Sequence, residues 1–354
     1  MRTGTVIALS SALAVLPAVP AAAEPSPSTD PGPALPEGSE VRFHIEDPRI
    51  LESSGMAASR LHDGVYWTHN DSGDYGPVLY AVDETGATVA TITLTGAGVE
   101  ARDWEAVSVG TDDNGAPAVY VGDIGDNFQG GWPSVRVYRF TEPDVLTDAT
   151  VDATTYTFTY EDGGRDAEAM MVDPDDGRLY IISKEVAGGV YAAPAELDPE
   201  GTNTLTRIDS APLFATDAAF APDGRHYAIR TYWSATVYDA ADGVPGRGVD
   251  RLNLPDLDQG ESMTFSHDGS ALMVGTEGER SPVWRIPLPD TVAAGEDGGD
   301  GDGSAAEPGA DTGDGAGADD DAAATGGGPS PLLWTGVGLA VVLIAGIALL
   351  VRAA

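Results

Sequence analysis

The sequence predicts an all-β protein built from repeated copies of one strand–turn–strand unit, and three observations carry that expectation. The first is the stretch from Asp166 to Glu185, DAEAMMVDPDDGRLYIISKE, in which two short apolar runs, Ala167 to Val172 and Leu179 to Ile182, flank the turn pair Asp176-Gly177. The second is that degraded copies of it recur: SGMAASRLHDGVYWTHND from Ser54, EAVSVGTDDNGAPAVYVGDIGDN from Glu105, DAAFAPDGRHYAIRTY from Asp217 and ESMTFSHDGSALMVGTEG from Glu261. The third is spacing. The openers Ser54, Glu105, Glu168, Asp217 and Glu261 stand 51, 63, 49 and 44 residues apart, near the period of a β-propeller blade. Such a unit cannot bury its apolar face alone, so the copies must pack on one another around an axis. The expected fold is a β-propeller of five four-stranded blades, followed by one C-terminal transmembrane helix.

Residues 1–23 have a basic start at Arg2, an apolar run from Val6 to Val19 and small residues at Ala21 and Ala23. That pattern is a secretory signal peptide cleaved after Ala23. Residues 24–40 form a proline-rich spacer with little to bury. Val41 to Ile45 is then a lone strand without a hairpin partner beside it. The last copy, from Glu261 to Pro287, has only three visible strands, so Val41 to Ile45 is expected to close the ring as its fourth.

Outer strands follow each hairpin. They are Val78 to Val82 and Thr88 to Leu94 in the first blade, and Val135 to Phe140 and Thr154 to Tyr160 in the second. Gly189 to Ala193 and Thr204 to Ile208 serve the third, and Ala235 to Tyr238 and Val249 to Leu254 the fourth. The propeller domain therefore spans residues 41–290. Residues 291–330 hold ten acidic residues and no basic one in a Gly/Ala/Asp-rich run, which reads as a disordered, self-repelling linker. Residues 331–351 are uncharged, long enough to cross a hydrocarbon core of roughly 30 Å as a helix. Trp334 suits the outer interface and Arg352, in the short tail 352–354, the cytoplasmic one. A single-pass membrane protein with an extracellular propeller is expected.

The net charge is −39, which excludes nucleic acid as a partner for want of a basic footprint, favours cations, and leans towards a monomer. There is no cysteine, so disulfides, thiolate metal sites and a cysteine nucleophile are excluded. No GxSxG elbow, HExxH, phosphate loop or dinucleotide fingerprint occurs.

In a propeller the start of each blade's first strand and the end of its second meet at one face near the axis. The first-strand starts supply Glu105, Glu168, Asp217 and Glu261, with Ser54 at the fifth position; the second-strand ends supply Asn70, Asp71, Asp123, Asp126, Asn127, Lys184, Glu185, Arg230 and Glu277. Asp103 and Asp166 stand two residues before Glu105 and Glu168 and so point to the same side of an extended strand. Carboxylates converging on a narrow mouth raise one another's pKa unless a cation compensates. Oxygen ligands without Cys or His point to calcium. The metal set is then Glu105, Glu168, Asp217, Glu261, Asp71, Asp123 and Asp126, and Asn70, Asn127, Lys184, Glu185, Arg230 and Glu277 are the ligand-binding set. Each acid has a plainer alternative, bonding backbone amides to hold neighbouring blades in register. Trp67, Trp104, Trp132, Trp233 and Trp284 suit packing between blades, and His69 a packed position near the mouth.

At SSGMAAS, HNDSG, DWEAV, GDIGDN, DAEAMMVDP and QGESM the sequence resembles secreted bacterial propellers of the phytase-like or esterase-like-of-phytase kind, over residues 40–290. The resemblance implies calcium at Glu105, Glu168, Asp217 and Glu261, and phosphate at Lys184 and Arg230. It also implies six blades and several lysines at the phosphate site, where this chain has five copies and one lysine. Two functions are therefore expected. One is a calcium-stabilised module that binds an extracellular ligand or envelope component. The other is a calcium-dependent phosphoesterase in which metal-bound water is the nucleophile.

Overall fold

The computed structural model describes residues 34–71, 75–128, 130–289 and 292. The expected leader, nearly all of the acidic linker and the apolar run 331–351 lie outside the described residues. Among the described residues the chain is all-β, with 21 strands and almost no helix, and no helix is long and apolar enough to cross a membrane.

The strands fall into antiparallel meanders. After β1 (Glu40–His44) come β2 (Ser53–Ala58), β3 (Val65–Asn70), β4 (Val78–Asp83) and β5 (Thr88–Thr95), paired in that order. The next four are β6 (Trp104–Thr111), β7 (Pro117–Asp123), β8 (Val135–Thr141) and, after the short β9 (Ala149–Asp152), β10 (Thr154–Tyr160). Then follow β11 (Ala167–Val172), β12 (Leu179–Ser183), β13 (Gly189–Ala192) and β14 (Thr202–Ser210). A fourth set is β15 (Ala215–Phe220), β16 (His226–Thr231), β17 (Ser234–Asp239) and β18 (Arg247–Asn253). The last is β19 (Met263–Phe265), β20 (Ala271–Val274) and β21 (Pro282–Pro287). β1 lies antiparallel to β21, so the start of the described chain supplies this sheet's fourth strand. Two parallel pairings were not anticipated: β9 extends the first sheet beside β5, and β10 beside β14 joins the second and third meanders into one eight-stranded sheet.

The first strands β2, β6, β11, β15 and β19 neighbour one another in a closed order, with β19 returning to β2. Both faces of these strands and of their partners are covered, so they read as continuous apolar runs. All six residues of β11 and all five of β12 are buried. Outer strands show the alternation of a half-exposed face, as in β5 and β14.

Apolar side chains gather between sheets. Trp67 and Ile92 meet Val121 and Tyr138; Val137 and Phe158 meet Met170 and Ile181; Met171 and Ile182 meet Tyr227 and Ile229. Val237 and Leu252 then meet Phe265 and Ile286, and Phe43 and Val283 meet Met56 and Tyr80. Each meander's first turn ends in a glycine with a left-handed φ: Gly64 at 72°, Gly115 at 77°, Gly177 at 74°, Gly224 at 71° and Gly269 at 68°. Only glycine adopts that region without strain, which is why the five copies share it.

A candidate metal centre at one end of the first strands

The site begins with a repeated irregularity. Pairing of the first strand with the second slips by one residue between Ser53 and Gly55, Trp104 and Ala106, Ala167 and Ala169, and Ala215 and Asp217. The slipped residues are thus Ser54, Glu105, Glu168 and Thr216. Gly275 donates its N–H to Ser262 O at 2.8 Å ahead of β19, which puts Glu261 at the same position in the fifth sheet. A β-bulge of this kind re-aims one side chain.

Asp217 therefore stands one position beyond the ring in which the sequence places it, and Thr216 occupies the slot. A one-residue slip turns a side chain to the other face. Asp217 is buried between β15 and β19, where Oδ2 accepts Met263 N–H at 2.6 Å and Oδ1 accepts Ala218 N–H at 2.8 Å. Burial pushes its pKa well up and these amide bonds pull it back. This is the backbone-bonding role that any single acid of the set could have had.

Three carboxylates do converge. One oxygen each of Asp71, Asp103 and Glu105 lie within 4.8 Å of one another. Glu105 Oε2 accepts Ser54 Oγ–H at 2.9 Å, and Asn127 Nδ2 lies 3.3 and 3.4 Å from the two Asp103 oxygens. Gly125 makes room for them, since a Cβ there would sit 2.7 Å from both the Asp103 carboxylate and Glu105 Oε1. Burial pushes the Glu105 pKa well above the usual carboxylate range, and the charges of Glu168, Asp71, Asp103 and Glu261 push it further.

Beside this trio stands a second group. Lys184 pairs with Glu168 and lies 3.6 Å from Glu261 Oε1, with its ammonium over the Tyr232 ring at 5.1 Å. Tyr232 donates its hydroxyl to Glu261 Oε1 at 3.2 Å. Burial disfavours the lysine's charge, but Glu168 and Glu261 outweigh it and raise its pKa. Glu168 is 7 % exposed, and its Oε2 is buried without a hydrogen-bond partner. Glu277 accepts from Gln259 Nε2 at 3.1 Å; burial, then the neighbouring Glu261, push its pKa up to about 9.

The remaining expected site residues, Glu185 apart, bond backbone groups. Asn70 Oδ1 accepts the N–H groups of Leu51 and Glu52 at 2.9 and 3.0 Å, and its amide donates to Arg49 O. Asp123 accepts from Asp103 N–H at 2.8 Å and Tyr138 Oη–H at 2.9 Å. Asp126 accepts from Phe128 and Trp132 N–H at 2.9 and 2.6 Å. Glu185, half-buried, pairs with Arg165 at 3.4 Å. Arg230 is wholly buried, donates to Ser262 O and Gly275 O, and leaves Nε and Nη2 without partners. Burial lowers its pKa to about 10, against the raising effect of Asp217 and Glu261.

Sequence reasoning missed Tyr232, Thr216 and Gly125. Counting from the second-strand ends gives a signal for the first: Asp71, Lys184 and Tyr232 each directly follow β3, β12 or β16 at Asn70, Ser183 and Thr231. Of the tryptophans, Trp67 and Trp104 are buried between sheets, whereas Trp233 is 57 % exposed. His69 is packed, edge-on to Trp104 at 5.8 Å.

No family model and no curated protein matches this chain. Among solved structures it is similar to one titled "Structure of U3-55K", at 11 % identity and a TM-score of 0.37, over 72 % of this chain and 100 % of that one.

Proposed function

We propose that this chain is a five-bladed β-propeller, displayed outside the cell, that holds a divalent cation, calcium, at Asp71, Asp103 and Glu105 and uses that mouth to bind an extracellular or envelope ligand. The ring reading is supported by the closed order of the five first strands and by β1 completing the last sheet. Display rests on the leader, acidic run and apolar run of the sequence alone.

The observation that carries the metal reading is the approach of three carboxylates, two of which, Asp103 and Glu105, pack against a glycine whose missing Cβ leaves the space. Buried acids so close cannot all ionise without compensation. An oxygen-only donor set suits calcium, which takes 6–8 oxygens, and Glu168 Oε2 adds a buried acceptor nearby. The bound ion would supply a hard Lewis-acidic centre. The chain's own residues orient the carboxylates, through Ser54 on Glu105 and Asn127 on Asp103.

A phosphoesterase draws less support. Lys184 is engaged by Glu168 and Glu261, and Arg230 is wholly buried with Nη1 on backbone carbonyls, so of the two cations the resemblance assigns to phosphate one is paired and the other has no surface open to solvent.

The test is a thermal melt of the full chain in EDTA and in millimolar calcium. An ion held by the native state alone at a hundred times its Kd adds about 2.7 kcal/mol, or roughly 5–10 °C for a domain of this size. Glu105→Gln and Gly125→Ala are each expected to abolish most of that shift. Equal midpoints in both buffers, with no metal found by elemental analysis, would sink the reading.

A further inference from the structure

A cavity of about 210 Å³ lies at the other end of the first strands. All five strands line it, through residues such as Met56, Val107, Val172, Phe220 and Phe265. Its wall hydroxyls are used internally: Ser108 Oγ accepts Val172 N–H at 3.2 Å and Thr264 Oγ1 accepts Ala58 N–H at 3.2 Å.

The rim differs. Arg60 and Asp63, both exposed and three residues apart in the β2–β3 loop, border the same cavity. Among the described residues neither joins an ion pair, with each other or with any other side chain. His267 also lines the cavity, edge-on to Tyr66 at 5.1 Å, with Nε2 buried and without a partner.

We propose that this cavity binds a zwitterionic apolar α-amino acid, with its side chain among the strand ends, its carboxylate on Arg60 and its ammonium on Asp63. A closed cavity of about 150 Å³ takes benzene, so a phenyl or isobutyl group fits here. A wholly apolar ligand would engage neither rim charge, and a singly charged one only one of them. A zwitterion answers both, with apolar walls supplying affinity and a few polar groups supplying orientation. The site is separate from the carboxylate trio and does not depend on a bound cation.

The test is titration of the full chain, in EDTA and about 0.15 M salt to screen the acidic mouth, with L-phenylalanine, phenethylamine, which lacks the carboxylate, and N-acetyl-phenylalanine, which lacks the ammonium. Each analogue is expected to bind about 5- to 10-fold more weakly than L-phenylalanine, the range for one partly desolvated charge contact. Arg60→Gln should bring L-phenylalanine down to the phenethylamine level, and Asp63→Asn to the N-acetyl level. Ala58→Leu, which fills the cavity, should remove binding of all three. Both rim residues are exposed, so their variants decide the matter even if Ala58→Leu fails to fold. No saturable L-phenylalanine binding up to about 10 mM, an analogue that binds as tightly, or binding that survives a folded Ala58→Leu would each overturn the proposal.

Discussion

Glu142 follows β8 and is buried against the first sheet, where Oε1 accepts Ser59 Oγ–H at 2.6 Å and Trp67 Nε1–H at 2.7 Å and Oε2 accepts Arg60 N–H at 3.2 Å. One carboxylate thus ties the second meander to the first turn of its neighbour. Replacing it by alanine strands a buried indole N–H and a buried hydroxyl, each costing about 1–3 kcal/mol. Glu142→Ala is expected to lower the melting midpoint by roughly 4–24 °C, and Glu142→Gln, which keeps one acceptor, by less. A differential scan of the three proteins checks this; equal midpoints would show the contact to be dispensable. Glu142 carries no mark in the sequence, because nothing local distinguishes a glutamate after a strand from any exposed one. Glu105 and Glu168 were legible since each opens a recognisable copy, whereas Asp217 was misplaced by one residue. The copies match by acidity, and the bulge that decides which residue takes the slipped position leaves no trace in composition.

The hairpin turns are where the sequence was read most directly, and their chemistry is testable at the last one. Asp268 precedes Gly269 between β19 and β20, and its Oδ1 accepts Ser266 Oγ–H at 2.6 Å, Ser270 Oγ–H at 2.7 Å and Ser270 N–H at 3.0 Å. The Ser266 and Ser270 hydroxyls hold its pKa down to about 2, against an ordinary 3.8. Because the folded value is depressed, the turn's contribution is complete above about pH 4 and is lost as pH falls towards 2. Wild type should therefore melt above Asp268→Ala at pH 6, with the gap closing between pH 4 and 2. A gap unchanged down to pH 2.5 would mean that the ionised carboxylate plays no part. The strands around such turns were legible from apolar runs and Asp/Asn-Gly pairs. The parallel pairs β5–β9 and β10–β14 were not, because their partners lie 45 to 57 residues apart along the chain, and periodicity reports only which face is buried.

At the scale of the whole molecule the decisive contact is between the two ends of the described chain. β1 completes the sheet of β21, and Phe43 enters the cluster that joins this sheet to the first, packing 5.9 Å from the Tyr66 ring. That closure was anticipated from a count, a lone strand at one end and a three-stranded copy at the other. Its energetic meaning follows from the placement of the apolar side chains, which lie between sheets rather than in one central mass. Each sheet depends on two neighbours, so a closed set should open as a unit. Phe43→Ala, at a position 6 % exposed, is expected to cost about 3–5 kcal/mol. If the sheets open together, native-state hydrogen exchange should speed by at least about a hundredfold at the slowest amides everywhere, including β11 and β12, whose buried side chains belong to other clusters than that of Phe43. If acceleration is instead confined to β1 and β19 to β21, the sheets open independently and the contact of β1 with β21 is only a local addition to an edge.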